Sequence, residues 1–182
     1  MVLKDEDAKL FYDLWIPLLD FVNRKYKLVR GLYGMTSPEG MPLKSAMKIA
    51  DKLWKDKSVI DEYILSGSKQ MNEAETAIVR SWKRTVYGRF IVERHLNKGS
   101  VLISLENGEV YIVKGLYSSW RELLENYPMP QIVQAMLMPF RDVIVHSGLI
   151  SPYGVCLGKN MSDQSKKVYL AAKAGGKLRY NL

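Results

Sequence analysis

A chain of 182 residues with 47% apolar and 25% charged residues is long enough for one sizeable core or two small ones, and too apolar to be disordered. It carries 27 Lys and Arg against 19 Asp and Glu, a net charge of +8 that invites a polyanionic partner, although half of the excess falls in the last 21 residues, where a basic tail reads first as a device for solubility. A single cysteine excludes an internal disulfide, and with only two histidines beside it no common Cys/His zinc site can be assembled.

Nowhere does an uninterrupted apolar run approach the ~20 residues that span a bilayer. Lys4, Asp5, Glu6, Asp7 and Lys9 place charge where the apolar core of a signal peptide would begin. The expectation is a cytoplasmic protein without membrane contact.

In the first half the apolar residues recur at helical spacing. Phe11, Leu14, Trp15, Leu18, Leu19, Val22 and Tyr26 form one stripe, with Asp13, Asp20, Asn23, Arg24 and Lys27 off it. Pro17 lies inside this pattern and predicts a kink or a restart, because it lacks the N–H that would bond the carbonyl of Asp13. The stretch from Arg30 to Gly40 reads as a connector; its two spaced glycines lack the strand and the Gly-Lys-Ser/Thr of a phosphate loop. Pro42 suits the first turn of a second helix whose apolar face is Leu43, Ala46, Met47, Ala50, Leu53 and Trp54, with Lys44, Lys48, Lys52 and Lys55 on the other side. Ser58 is positioned to cap a third helix that ends at Ser66-Gly67-Ser68. Asn72 with Glu75 forms a capping box ahead of Ala74, Ile78 and Trp82.

Near residue 85 the period changes. Phe90, Val92 and Leu96 alternate with Ile91, Glu93 and His95, Asn97-Lys98-Gly99 turns the chain, and Val101–Leu105 returns. Asn107-Gly108 predicts a two-residue type I′ hairpin into Val110–Val113. Ser118 or Ser119 opens a short helix through Trp120, Leu123 and Leu124. Further strands are predicted at Ile132–Met138, halted by Pro139, at Val143–Ile150, and at Tyr153–Leu157 after a turn at Ser151-Pro152. Ser162 and Asp163 are placed to cap a last helix burying Met161, Val168 and Ala172. Gly175-Gly176 closes it and leaves a basic tail from Lys177 to Leu182.

The pattern is therefore α+β: a helical region, 1–84, packed as one compact unit on an antiparallel sheet or small barrel, 85–182, with one inserted helix and a C-terminal helix. Three strands, a helix and further strands resemble an oligonucleotide-binding barrel.

Catalytic signals are sparse. No HExxH, G-x-S-x-G, complete phosphate loop or dinucleotide glycine pattern is present. His146 and Cys156 form the best base–nucleophile pair, but a two-residue turn at Ser151-Pro152 would set them on opposite faces of the sheet. Glu93 and His95 share a strand face and could form an acid–base couple. No catalytic, cofactor-binding or metal-ligating residue is assigned. The candidate binding residues are Arg89, Arg94, His95, Trp120, His146, Lys177 and Arg179; of the wider surface, Arg84, Tyr87, Arg89, Arg94 and Trp120 with the tail could stack rings on bases and meet phosphates with cations. The charge is unevenly spread: residues 162–182 hold five basic groups and one acidic group, against 15 and 12 over residues 1–84 and seven and six over residues 85–161.

Phe11-Tyr12-Asp13-Leu14-Trp15, Pro17 to Asn23, Ser81-Trp82-Lys83, Gly88-Arg89-Phe90, Arg94-His95-Leu96 and Leu137-Met138-Pro139-Phe140 are similar to segments of a family of uncharacterised bacterial proteins, some of which carry an added SEC-C zinc motif. The resemblance implies no activity. The zinc motif is absent, and His146-Ser147-Gly148 stands where an aromatic-Asp-Gly step is expected. The leading expectation is a non-catalytic binding or accessory module, with a protein among its potential partners. The first alternative is a nucleic-acid-binding protein using a small barrel and the basic tail; the second is an enzyme of unrecognised type.

Overall fold

A computed structural model describes residues 1–37 and 41–182, and at Cys156 the backbone alone. Pro38, Glu39 and Gly40 of the expected connector lie outside the described residues. The chain divides into two units, Asp5–Lys83 and Met1–Lys4 with Arg84–Leu182.

The helical unit holds α1 (Asp5–Tyr26), α2 (Leu43–Lys55), α3 (Val59–Ser66) and α4 (Glu73–Ser81), with single 3-10 turns at Arg30–Leu32 and Trp82–Arg84. α1 does not restart at Pro17: Phe11, Leu14 and Trp15 before it and Leu18, Leu19 and Val22 after it are all buried, so packing on both sides holds one continuous helix. Asn23, expected on the polar side, is fully buried. Its side chain donates to the Val29 carbonyl (2.9 Å) and accepts from the Val29 amide (2.8 Å), which satisfies it while tying the connector to α1. The core is aromatic: Trp82 stands edge-on to Trp15 with centroids 5.6 Å apart, and Trp15 stacks on Trp54 at 5.8 Å. The capping box at Asn72 and Glu75 forms, with both bonds at 2.9 Å. Ser58 instead turns its hydroxyl to Asp56 and makes no side-chain cap.

The second unit contains β1 (Val86–Leu96), β2 (Gly99–Ser104), β3 (Val110–Lys114), α5 (Trp120–Leu123), β4 (Gln131–Phe140), β5 (Val143–Cys156), α6 (Lys159–Ala174) and β6 (Leu178–Arg179). The expected meander is present, with β1, β2 and β3 antiparallel in turn. The six-stranded sheet runs β2-β1-β4-β5-β3-β6, and β2 also pairs with β3, so it curls back on itself. It is mixed and not purely antiparallel: β3 runs parallel to β5 over two residue pairs and parallel to β6 over two more. So short a β3–β5 seam leaves a curled sheet and not a closed barrel.

Several local expectations are corrected. The turn after β2 spans Leu105 to Glu109. Only Gly108 has positive φ (72°), whereas type I′ needs it at both central residues, and the loop closes through Gly108 N–H to Ser104 O at 3.0 Å. Pro139 does not halt β4, which continues to Phe140; β1 pairs with β4 only as far as Leu137, so the missing N–H costs that ladder nothing. Ser151-Pro152 makes no turn. Both residues pair with β4, and β5 is one strand of 14 residues. Two bulges absorb the surplus: four-residue steps on β5 oppose two-residue steps on β4, each with a glycine in the left-handed region, Gly148 (φ 86°) and Gly154 (φ 67°).

One layer of the core, Phe90, Val92, Leu102, Tyr111, Val133, Leu137 and Ile144 among others, lies inside the curl, with Trp120 and Leu124 of the α5 region packed against it. The other layer, Ile91, Val101, Ile103, Val110 and Ile112, is on the outer face and is covered by Tyr169, Val168 and Ala172 of α6. Both faces of β2 are thus buried, which explains why its burial is unbroken, Ser100 and Ser104 included. α6 starts at Lys159, before the expected cap, so Ser162 and Asp163 lie inside it. Met161, expected in the core, is 46% exposed. The expected tail is docked: β6 adds to the edge of β3, and Leu182 packs against the inner layer.

Candidate functional site

His146 sits on β5 opposite Leu137, two residues from Ile144 and so on the inner face of the curl. It is buried, and its ring meets Trp120 edge-on with centroids 5.3 Å apart. The bulge folds back so that the Gly148 amide donates to Nδ1 at 3.0 Å, which assigns the proton to Nε2. Nε2 and the Trp120 Nε1 are both buried with no hydrogen-bond partner. Burial pushes the imidazole pKa down to about 4, so at neutral pH it is an uncharged core group.

The Cys156 side chain lies outside the described residues, but the backbone decides the question of the pair. His146 pairs with Leu137 and Cys156 with Gln131, six positions away on β4. At about 3.3 Å per residue that is roughly 20 Å, far beyond proton-transfer reach. The hairpin expected to set the two residues on opposite faces does not form, since Ser151 and Pro152 both pair with β4.

The remaining candidates are scattered and engaged. A bulge at Glu93 breaks the strand register there. Glu93 takes up Arg94, with Arg94 Nη2 donating to Oε1 at 3.0 Å, while His95 Nδ1 shares a 2.7 Å bond with Ser100. The acid–base couple therefore does not form. The His95 pKa is lowered, first by burial and then by the charge of Arg121. Arg94 also lies over the Tyr169 ring, 4.7 Å from its centroid, pinning α6 to β1. Arg89 pairs with Glu106 at 3.6 Å. Arg179 pairs with Glu109, which also accepts from the Tyr111 hydroxyl and from Asn107 at 3.1 Å. Trp120 is 1% exposed and offers no stacking surface. Lys177 alone of the seven is exposed and without a bond among the described residues.

Three hollows deserve comparison. A cleft of about 680 Å³ between the end of α6 and the β2–β3 loop is lined by Lys177, Arg179, Glu109 and small residues. A smaller one, about 230 Å³, lies at the β1–β2 and β4–β5 turns among Lys98, Lys114, Asp142 and Tyr180. In the helical unit a hollow of about 500 Å³ beside Phe21 and Tyr63 holds Asp13, Asp20 and Arg24, but Asp13 binds Lys9 and Asp20 binds both Arg24 and the Gly34 amide. None gathers a base, a nucleophile and an oxyanion donor. Among the described residues no three His, Cys, Asp or Glu side chains are grouped to hold a metal ion, and no helix is long and apolar enough to cross a membrane.

Charge separates the units more sharply than any hollow. Residues 1–4 and 84–182 hold 14 basic and seven acidic groups, a net +7; residues 5–83 hold 13 and 12, a net +1. No protein-family model matches this chain, and no curated protein or solved structure matches it.

Proposed function

We propose that the protein is a non-catalytic binding module whose sheet-containing unit takes a nucleic acid. The observation that carries this reading is the charge asymmetry: nearly the whole net charge falls on the unit whose order, three meander strands, a short helix and two more strands, resembles a partly open oligonucleotide-binding barrel. The separation of His146 from Cys156, and the commitment of Glu93 to Arg94 and of His95 to Ser100, support a binding role over chemistry. The test is fluorescence anisotropy of the full chain with labelled single-stranded and duplex oligonucleotides at 50 and 150 mM salt. Binding that weakens steeply with salt is expected, because neutralised phosphates release counterions. No measurable binding to either at 50 mM would overturn the reading. Deleting residues 175–182 is a poor variant for this purpose, since it removes β6 and Leu182 from the fold as well as charge.

A further inference from the structure

The cations of this protein differ in how far they are already spent. In the helical unit Lys25 is held by Glu62, Lys83 by Asp61, Lys57 by the Lys83 carbonyl, and Lys52 lies 4.2 Å from the Tyr26 ring centroid. In the sheet unit four arginines are committed: Arg89 and Arg179 to glutamates, Arg94 to Glu93 and a ring, and Arg141 over Phe140. The lysines of α6 are not. Lys159, Lys166, Lys167 and Lys173, with Lys177 just beyond, are all exposed and make no hydrogen bond or ion pair among the described residues. Asp163 is the one carboxylate on the helix.

We propose that this lysine face of α6 is the surface that contacts the phosphates of a nucleic-acid strand; the inference rests on the nucleic-acid reading above and assigns its site. Lys159, Lys166 and Lys173 recur every seven residues, close to two helical turns, so they align along one side of α6 at intervals of about 10.5 Å. That spacing is about one Debye length at 0.1 M salt, so their fields reinforce one another at low salt and separate at high salt. The outer strand face on which an oligonucleotide-binding barrel takes its ligand is closed in this protein, because α6 packs its own Tyr169, Val168 and Ala172 against Ile91, Val101, Ile103, Val110 and Ile112. Contact is thereby transferred from the strands to the helix that covers them. An anionic membrane fits less well: the apolar side of α6 is already used, and only Met161 and Leu170 remain exposed on it, too little to sink into a bilayer interface.

Five lysines on a single strand give a slope of log Kobs against log salt near −3.5, so affinity falls about 50-fold between 50 and 150 mM. The double variant K166E/K173E, and its neutral counterpart K166Q/K173Q, remove two contacts, lower the slope to about −2.1 and weaken binding at 50 mM at least 10-fold. The control K98E/K114E, at the small hollow of the turns, is expected to change affinity less than threefold. Circular dichroism verifies that each variant is folded. If K98E/K114E abolishes binding while K166E/K173E does not, the site assignment is overturned and the nucleic-acid reading stands. If the unaltered protein fails to bind at all, both fall. Tighter binding to vesicles of 30% phosphatidylserine than to the oligonucleotide, lost in the same α6 variants, would overturn the choice of ligand.

Discussion

His146 offers a quantitative test of the inner core. Its imidazole is 4% exposed and held neutral, with a pKa pushed down to about 4 by burial, against 6.5 for the free side chain. Between those values the unfolded chain binds a proton that the folded one does not, so acid favours unfolding. The contribution is fully present above about pH 6.5, shrinks as pH falls through that window, and is gone below about pH 4. A gap of about 2.5 in pKa corresponds to roughly 3 kcal/mol, a large share of the stability of a small unit. The informative variant is His146→Asn, whose side-chain oxygen can still accept from the Gly148 amide in place of Nδ1. Urea unfolding at pH 7.5, 6.0, 5.0 and 4.5 is expected to show the unaltered protein losing about 2.5 kcal/mol more than the variant over this range. The lowered carboxylates Glu106, Glu109 and Glu122 act in both proteins and cancel in the difference. His95 and His146 are the only histidines, so their ring resonances can be followed directly by NMR. An His146 resonance titrating near pH 6.5 in the folded protein would refute the buried, neutral assignment.

Other consequences follow from the same geometry. Tyr63→Phe removes a buried hydroxyl that has no partner and is expected to leave the helical unit as stable or up to about 1–3 kcal/mol more so; a loss above 1 kcal/mol in urea unfolding would show that the hydroxyl is satisfied. Gly115→Ala sets a methyl 2.0 Å from the Ser118 carbonyl oxygen, so a lowered melting temperature and a cost of at least about 1–3 kcal/mol are expected, whereas Gly31→Ala, which meets nothing within 4 Å, should be neutral. Lys159→Glu puts a carboxylate in the first turn of α6, which has none; it should raise thermal stability by a few tenths to about 1 kcal/mol while weakening oligonucleotide binding, and a change of both in the same direction would contradict the proposed role of that side chain.

What could be read without coordinates was what neighbours in sequence decide. The switch of period at residue 85 and the capping box at Asn72 depend on residues a few positions apart, and they appear where the spacing placed them. The failures share a different origin. Ser151-Pro152 reads as a turn in isolation, yet it stays extended because Val133 and Gln134 of β4 supply its partners, and the slack is taken up at Gly148 and Gly154 by bulges that no local pattern announces. Residues 177–182 read as a loose basic tail; the unpaired edge of β3 converts two of them into a strand, and Glu109 neutralises Arg179. The same long-range pairing decides which charges matter. Of the seven candidate binding residues, four are basic, and three of those four turn out to be held by glutamates distant or adjacent in sequence. Among the described residues unpaired lysines also occur elsewhere, Lys44, Lys55 and Lys98 among them, but α6 carries four on one helix, where the sequence shows only a lysine-bearing helix like α2. What sets α6 apart is that, among the described residues, none of its lysines is held, whereas on α2 Lys48 donates to the Leu28 carbonyl and Lys52 lies over the Tyr26 ring, a property of packing and not of spacing. The capacity of this protein to bind a polyanion therefore depends less on how many cations it carries than on which of them the fold has left unspent.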